Sequence, residues 1–545
     1  MATYSTDLTT LTTAESGTWT EFASPYNAGG APGLSEENFI QGTDCYAQNS
    51  GKAVGLEISI VFDYGSGYSY ATDEVVFAWL FYAVGTNLET YANNGWRFGI
   101  GSSISAWDWF RIGGSDYGRN PYGGWVNVAV DPTATETGTV GGGNGGSYRY
   151  YGNVPYTINE ISKGDPTAVD AIRAGRGLLS MTGSGGSLTE LASYNDYNDG
   201  GTPPGSSSTS VDSGYHRLGL FQVIIGGVIL WKGLLSLGTS GSSVTLSDSN
   251  KTIIIDDCPH TYADFNKIEI HNASSTITLV KITITSTATT ANGLGYFEMV
   301  DNATVALTGC AFNGMGTFIF DSNATITSCA FNTCGQITSG GADIVGCDII
   351  ENTASSAIVC ASPAEAALIT GCTFESDGTG HAIEITGTAA NITLTGNIFT
   401  GYDTSDPGTA ANKAIFVNIA SGTMSITISG GSGVTEDYHV RSAGATVTVN
   451  SDVTITFTGL KDNSEIWVFK TSDDSLIAET EDATDGSPGA RTFSWSAPAS
   501  TNVYYMIHNF ESGVTMYESI RVEGYVVPST DTSIPIQQRL DRNVT

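Results

Sequence analysis

Residues 304–350 read TVALTGCAFNGMGTFIFDSNATITSCAFNTCGQITSGGADIVGCDII, one motif stated more than once. Cys310-Ala-Phe312-Asn returns as Cys329-Ala-Phe331-Asn, and a looser copy stands at Cys347-Asp-Ile349. The posts are 19 and 18 residues apart; 25 more lead to Cys372 in LITGCTFESDG, and a further 25 to Asn397 in TLTGNIFTG. Self-similarity at a period of about 20–50 residues is the mark of a solenoid. Each copy is short, β-branched and bounded by Gly, Asn or Asp, and none contains a helical pattern. Coils of this length fit a parallel β-helix, each stacked on the last at about 4.8 Å.

Stacking accounts for the spacing, because equivalent positions then lie above one another. Cys310, Cys329, Cys347 and Cys372 are expected to form an inward ladder beside Phe312, Phe331, Ile349 and Phe374, with Asn397 extending it by amide hydrogen bonds. A disulfide framework would need an oxidising start, which a cytoplasmically made chain lacks. Zinc would call for CxxC paired with His, which is missing here. The thiols therefore read as core.

Weaker copies extend the coil both ways, from KTIIIDDCP, FNKIEIHN and STITLVKITITST upstream to AIFVNIA, MSITISGG and ATVTVNSDVTITF downstream. This places a parallel β-helix over 241–457. Uneven periods and the absence of hexapeptide repeats favour the right-handed form. The expected fold class is all-β throughout.

Residues 1–240 differ in texture, with six of the nine Trp between Trp19 and Trp125. EISIVFDYGSG, DEVVFAWLFYAVG, GWRFGIG and GGWVNVAVDP alternate like antiparallel strands of a β-sandwich. GGWVNVAV resembles the Gly-Trp strand of concanavalin-like jelly rolls, found in lectins and glucanases. Within this region DPTAVDAIRAGRGLL (165–179) predicts a helix, with an acidic start, early Pro and Ala/Ile/Leu at helical spacing. LGLFQVIIGGVILW is too short to span a bilayer and reads as two strands joined at Gly226-Gly227. DYNDGGTPPGSSSTSVDSG reads as a surface loop. Over 458–528, evenly spaced strands such as EIWVFK, ARTFSWSA and TNVYYMIHNF suggest a small immunoglobulin-like sandwich. The tail, 529–545, is too interrupted for a domain and suits a contact with a neighbouring subunit.

The formal net charge is -34, from 21 basic and 55 acidic side chains. Such a chain repels phosphate backbones and anionic lipid, so neither nucleic acid nor membrane insertion is expected. The start, MATYSTDLTTLTTAES, has no basic n-region and no apolar h-region, so synthesis in a cytoplasm without a signal peptide is the expectation.

For catalysis, a hydrolase on the coil needs two carboxylates facing one groove, roughly 5–9.5 Å apart. The best constellation is CTFESDGTGHAIEITG, with Glu375, Asp377, His381 and Glu384. Its bland alternative is a solvated turn before an outward Glu. Asp256, Asp257 and His260 resemble the paired aspartates of pectin hydrolases, but partner motifs are missing. A lyase would need grouped cations, whereas Lys251, Lys267, Lys281, Lys413 and Arg441 are scattered. The acidic hairpin with Asp473, Asp474, Glu479, Glu481, Asp482 and Asp485 could hold Ca2+ through oxygen ligands, without EF-hand spacing. For binding, SAWDWFRIGGSDYGRNPYGGW gathers Trp107, Trp109, Phe110, Tyr117, Tyr122 and Trp125, and GGSYRYYGNVPY adds Tyr148, Tyr150 and Tyr151. Aromatic side chains of this kind serve either a core or a sugar or partner surface.

The module order, with its Ser/Thr/Gly-rich coil and the terminal run from FTGLKDNSEIWVFK through SIPIQQRLDR, resembles tailed-phage virion proteins of the tail-spike, fibre or capsid-decoration kind. That resemblance implies a homotrimer on the virion surface, made in the host cytoplasm, touching other virion proteins and adhering to host glycans. A polysaccharide-degrading tail spike using Glu375, Asp377 and Glu384 is the alternative, and a bacterial β-helix adhesin a third.

Overall fold

The structure, a computed structural model, describes residues 3–23, 32–36, 39–40, 44–48, 59–82, 96–113, 124–154, 167–182, 220–224, 228–239, 241, 243–247, 252–255, 265–270, 272–287, 295–299, 303–402, 412–430, 438–440, 443–461, 463–480, 491–498, 501–509, 517–528 and 531–540. They are nearly all strand or turn; the only helix among them is the single turn Pro363–Ala366, capped by the Ser362 hydroxyl. No helix among them is long and apolar enough to cross a membrane. The chain divides into two compact units, Met1–Ile337 and Thr338–Thr545.

The first unit opens with two antiparallel sheets packed face to face. One runs Gly124–Val130, Val75–Tyr82, Thr167–Gly175, Cys45–Gln48, Gly33–Ser35; the other runs Gly138–Val140, Ala106–Gly113, Trp96–Ser103, Tyr148–Asn153, Ile60–Tyr68, Thr18–Thr20. Val76, Ala78, Val126 and Val128 of the first meet Ile60, Phe98, Ile100 and Phe110 of the second in a shared apolar core. Alternating apolar residues on each strand supply that inner face, as the sequence led one to expect.

The segment expected to be a helix is instead the strand Thr167–Gly175, central in its sheet and buried at every position. Two effects explain the difference. A strand covered on both faces has no polar side to reveal a period of two. Its register also shifts between Asp170 and Arg173, where Ala171 takes φ 47°. That bulge breaks the alternation and leaves an apolar spacing that imitates a helix.

The rest of this unit is a parallel coil of three strands per turn. Leu234–Leu237, Lys267–Ile270 and Tyr296–Met299 stack in one sheet, Ser243–Ser247, Thr276–Val280 and Thr304–Thr308 in a second, and Thr252–Ile255, Thr283–Ser286 and Ala311–Asn313 in a third. The ladders also enlist earlier strands. Leu179–Thr182 pairs in parallel with Leu234–Leu237, and Val228–Trp231 pairs in parallel with Thr252–Ile255 while closing a hairpin with Phe221–Ile224.

The repeated motif has a conformational cause. Cys310 follows Gly309 at φ 61° and Cys329 follows Ser328 at φ 52°. A left-handed residue at each corner turns the chain and sends the next side chain inward, which favours Gly at this place. Ile282, after Lys281 at φ 54°, occupies the same position one coil earlier, a post that its aliphatic identity hid. Phe312 stacks on Phe331 with centroids 5.1 Å apart and an interplanar angle of 16°.

The second unit contains the same kind of coil. Asp348–Ile350, Thr373–Glu375 and Ile398–Thr400 form one ladder, and Ser356–Cys360, His381–Ile385 and Ile415–Val417 another. Gly346, Gly371 and Gly396, at φ 60°, 63° and 69°, precede Cys347, Cys372 and Asn397. Asn397 does extend the ladder: its Oδ1 accepts from the Cys372 amide at 2.9 Å and its Nδ2 donates to the Ile369 carbonyl at 2.7 Å. All four expected thiol posts are buried, and none is in a disulfide.

The 15-residue strand Thr446–Leu460 ends the coil and begins the terminal sandwich. Its first part pairs in parallel with Thr423–Ser429, and from Asp452 onward it pairs with Arg491–Pro498. The tail contributes Thr532–Pro535 to the same sheet rather than standing apart. Opposite lies a four-stranded sheet, Leu476–Thr480, Ser464–Lys470, Asn502–Asn509, Ile520–Val526, with Ile455, Phe457, Ile466, Val468 and Ile507 between the layers.

Candidate binding surface

The carboxylates singled out for hydrolysis do not converge. Glu375 is exposed at the end of Thr373–Glu375, whereas Glu384 sits in His381–Ile385, a strand of a different ladder. Glu384 is engaged on both oxygens, by the Ser356 hydroxyl at 2.7 Å and the Asn418 amide at 2.8 Å. Asp377 closes an exposed turn, accepting from the Thr379 hydroxyl at 2.7 Å and the Thr379 amide at 3.0 Å. Those bonds hold its carboxyl below the usual range, the opposite of what a general acid requires. His381 is buried against Phe416, its Nδ1 2.7 Å from the Lys413 carbonyl. Asp256, Asp257 and His260 lie outside the described residues, as does the loop 196–214.

In the acidic hairpin, Asp473 is exposed and takes the Ser475 hydroxyl at 2.6 Å and amide at 3.1 Å, with Lys470 Nζ 3.9 Å away. Asp474, at φ 54°, is also exposed. Glu481, Asp482 and Asp485 lie outside the described residues, and among those described no three His, Cys, Asp or Glu are grouped to share a metal.

The tryptophan-rich segment of the first unit is core, not surface. Trp107 and Phe110 are 0% and 1% exposed, Trp109 8% and Trp125 3%. Alternation correctly puts Trp107 and Trp109 on one face of their strand, but both faces are covered. Phe110 joins the inter-sheet core, while Trp107 and Trp109 pack beneath Phe22, Val140 and Val154. Phe22 stacks on Trp107 at 4.4 Å, and Arg97 lies over Trp109 at 5.4 Å. Trp125 meets Phe81 at 5.3 Å in a further cluster. These rings therefore have no face to offer a sugar, and Tyr117 and Tyr122 lie outside the described residues. Tyr151 is buried too, its hydroxyl donating to the Tyr148 carbonyl at 2.8 Å, and burial pushes its phenol well up. Tyr148 and Tyr150 are half-buried, the first against Tyr70 at 5.1 Å and the second under Arg149 at 4.9 Å.

An available aromatic surface stands on the outer face of the terminal four-stranded sheet. In Ser464–Lys470 the inward positions are Ser464, Ile466 and Val468, and the outward ones are Glu465, Trp467 and Phe469. The adjacent strand repeats the division, with Val503, Tyr505 and Ile507 inward and Tyr504, Met506 and His508 outward. Register brings Trp467 opposite Met506, Phe469 opposite Tyr504 and Glu465 opposite His508. Phe469 stacks on Tyr504 at 5.1 Å and 18°, and Trp467 meets His508 edge-on at 5.5 Å. Arg521 covers Tyr504 at 5.4 Å and pairs with Glu523 at 2.8 Å. Burial raises the Tyr504 phenol, helped by the Asp474 carboxylate.

The outward rings are half-exposed, and the polar groups around them are Glu465, Glu479, Arg521 and Glu523. Flat apolar area edged by donors and acceptors can hold a ligand that has one apolar face and a polar rim. Sequence reasoning found these strands but not their surface. The signal was present in EIWVFK and VYYMIH, where aliphatic and aromatic residues alternate, so that the sheet is apolar on both sides.

The buried thiols are shifted in opposite directions. Cys310 is brought down to about 7 by its neighbour Cys329, while burial takes Cys334 and Cys360 up to about 12. Cys372 is raised, first by Cys347 and then by burial. Cys310, Cys329, Cys334, Cys347 and Cys372 each have a carbonyl within reach, as Cys310 has Leu279 at 3.4 Å.

No protein-family model matches the chain, and no curated protein does. Among solved structures, the Agl-KA catalytic domain aligns with 82% of this chain and 96% of its own, at 10% identity and a TM-score of 0.14. A likeness at that level carries no argument about fold or activity.

Proposed function

We propose that this chain is an adhesive display protein, of the kind tailed-phage particles carry as fibres, spikes or capsid decorations. On this reading the stacked coil is a stiff spacer, and the terminal sheet touches a host-surface glycan. The observation that supports it is the outward row of Trp467, Phe469, Tyr504 and His508, with Arg521 laid on Tyr504. A pyranose ring has an apolar C–H face and a polar edge. It therefore stacks on such rings while its hydroxyls reach the surrounding carboxylates and guanidinium. The open edges of a coil and its sheets favour assembly, and a trimer belongs to the same proposal.

The test is a host-glycan array probed with the full chain and with Trp467→Ala and Tyr504→Ala. Loss of one stacking ring should weaken binding roughly 2- to 10-fold, since an aromatic contact contributes about 0.5–1.5 kcal/mol beyond its buried area. Both variants binding as well as the parent chain would overturn the glycan assignment. Antibody to the chain that fails to decorate intact phage particles would overturn the virion assignment.

A further inference from the structure

The first unit carries a second surface that none of the readings above uses. Across five neighbouring strands one outward position forms an unbroken file: Ser5 pairs with Ser180, Ser180 with Ser236, Ser236 with Glu269 and Glu269 with Glu298. Adjacent strands stand about 4.8 Å apart, so three hydroxyls and two carboxylates are set out at a regular step. Beside the file lies a cleft of about 260 Å³, lined by Arg176, Ser180, Leu234, Ser236, Lys267 and Glu269 among others.

The charges in the cleft are already matched. Lys267 Nζ is 3.1 Å from Glu269 Oε2 and also binds Glu298, with its side chain only 8% exposed. Arg176 Nε is 3.1 Å from Asp7 Oδ2, and Asp7 Oδ1 accepts from the Leu178 amide at 2.9 Å. Ser180 and Ser236 are 8% and 2% exposed as residues, and both line the cleft. Each hydroxyl can therefore donate to and accept from whatever enters the cleft.

The geometry points to a binding site for a single neutral saccharide unit. Each sugar hydroxyl both donates and accepts, and the cleft supplies both roles in pairs: Arg176 with Asp7, Lys267 with Glu269, and two serine hydroxyls that can do either. Leu178 and Leu234 provide apolar wall for the C–H face. The volume lies just below the range of drug-sized pockets, about 300–1,000 Å³, which suits one ring. A free anion would meet carboxylates at every cation, and a chain of net charge -34 repels it from a distance.

Methyl glycosides of neutral hexoses and of a hexuronate are titrated into the full chain by saturation-transfer NMR. The expected result is saturable binding of at least one neutral glycoside, weakened roughly 3- to 10-fold by Ser180→Ala or Ser236→Ala, as loss of one hydrogen bond implies. The titrations are repeated in the Trp467→Ala chain, which lacks the ring the adhesive reading depends on: binding that persists there and falls on adding Ser180→Ala or Ser236→Ala belongs to this cleft, so that failure here and failure of the adhesive reading are told apart. Tighter binding of the hexuronate, no saturable binding of any neutral hexose, or binding indifferent to both serine variants would each overturn the assignment.

Discussion

Phe318 and Ile319 are neighbours in one two-residue strand, and the coil assigns them opposite fates. Phe318 is 0% exposed, while Ile319 is 37% exposed. The Phe318 ring meets Phe312 and Phe331 edge-on, each at 5.1 Å, and lies more nearly parallel to Phe297 at 6.3 Å and Phe320 at 6.1 Å. Truncating a buried Phe to Ala costs about 3–5 kcal/mol, and two edge-to-face contacts put this site in the upper half of that range. Ile319→Ala removes a side chain already partly in water and should cost under about 1 kcal/mol. A chain of two units does not unfold in one step, so the reading must be local. Hydrogen exchange on peptides spanning 304–332 supplies it, since the Val305, Phe318 and Ala330 amides all bond to the next or previous coil. A loss of about 4 kcal/mol corresponds to exchange faster by close to a thousandfold. Less than a tenfold increase for Phe318→Ala, or an equal increase for Ile319→Ala, would refute the stacked interior.

Two further outcomes follow from local contacts. Asp63 accepts from Arg149 Nε at 2.6 Å and Nη2 at 2.8 Å, and that guanidinium holds its carboxyl below the ordinary 3.8. A depressed carboxyl contributes stability in full above its unfolded value and loses it as pH falls through the folded one. Acid titration should therefore weaken the first unit below about pH 4, less so in Asp63→Asn; identical acid profiles would argue against the pair. Removing residues 529–545 takes away Thr532–Pro535, the buried Ile536 and the Gln538 side chain that accepts from the Lys461 amide at 2.8 Å. A loss of about 3–5 kcal/mol in the terminal sandwich is expected, and an unchanged melting transition there would show that the tail is not part of it.

What could be read in advance was whatever repeats. Cys310 and Cys329, or Cys372 and Asn397, declare their stacking because one corner conformation recurs and demands the same residues each time. Thr167–Gly175 looks helical in the sequence because a strand buried on both sides and bulged at Ala171 carries no period of two. In the sequence the rings of Trp107 and Trp109 suit either a core or a surface, because alternation tells which residues share a face, and says nothing of what covers it. Phe22 and Val154, far away in sequence, cover that face. The same silence hid the opposite case, Trp467 and Phe469, whose outer face stays half-open. The file from Ser5 to Glu298 is assembled from five separated segments, with no motif in any of them.

The strand Thr446–Leu460 leaves no room for a joint. Its register with Thr423–Ser429 ends at Ser451, and its register with Arg491–Pro498 begins at Asp452. A swivel would need several residues released from both ladders, and there are none. The terminal sandwich thus inherits the aim of the coil beneath it. Anything held on its outer sheet would meet a surface whose direction is already set, with little freedom left to lose.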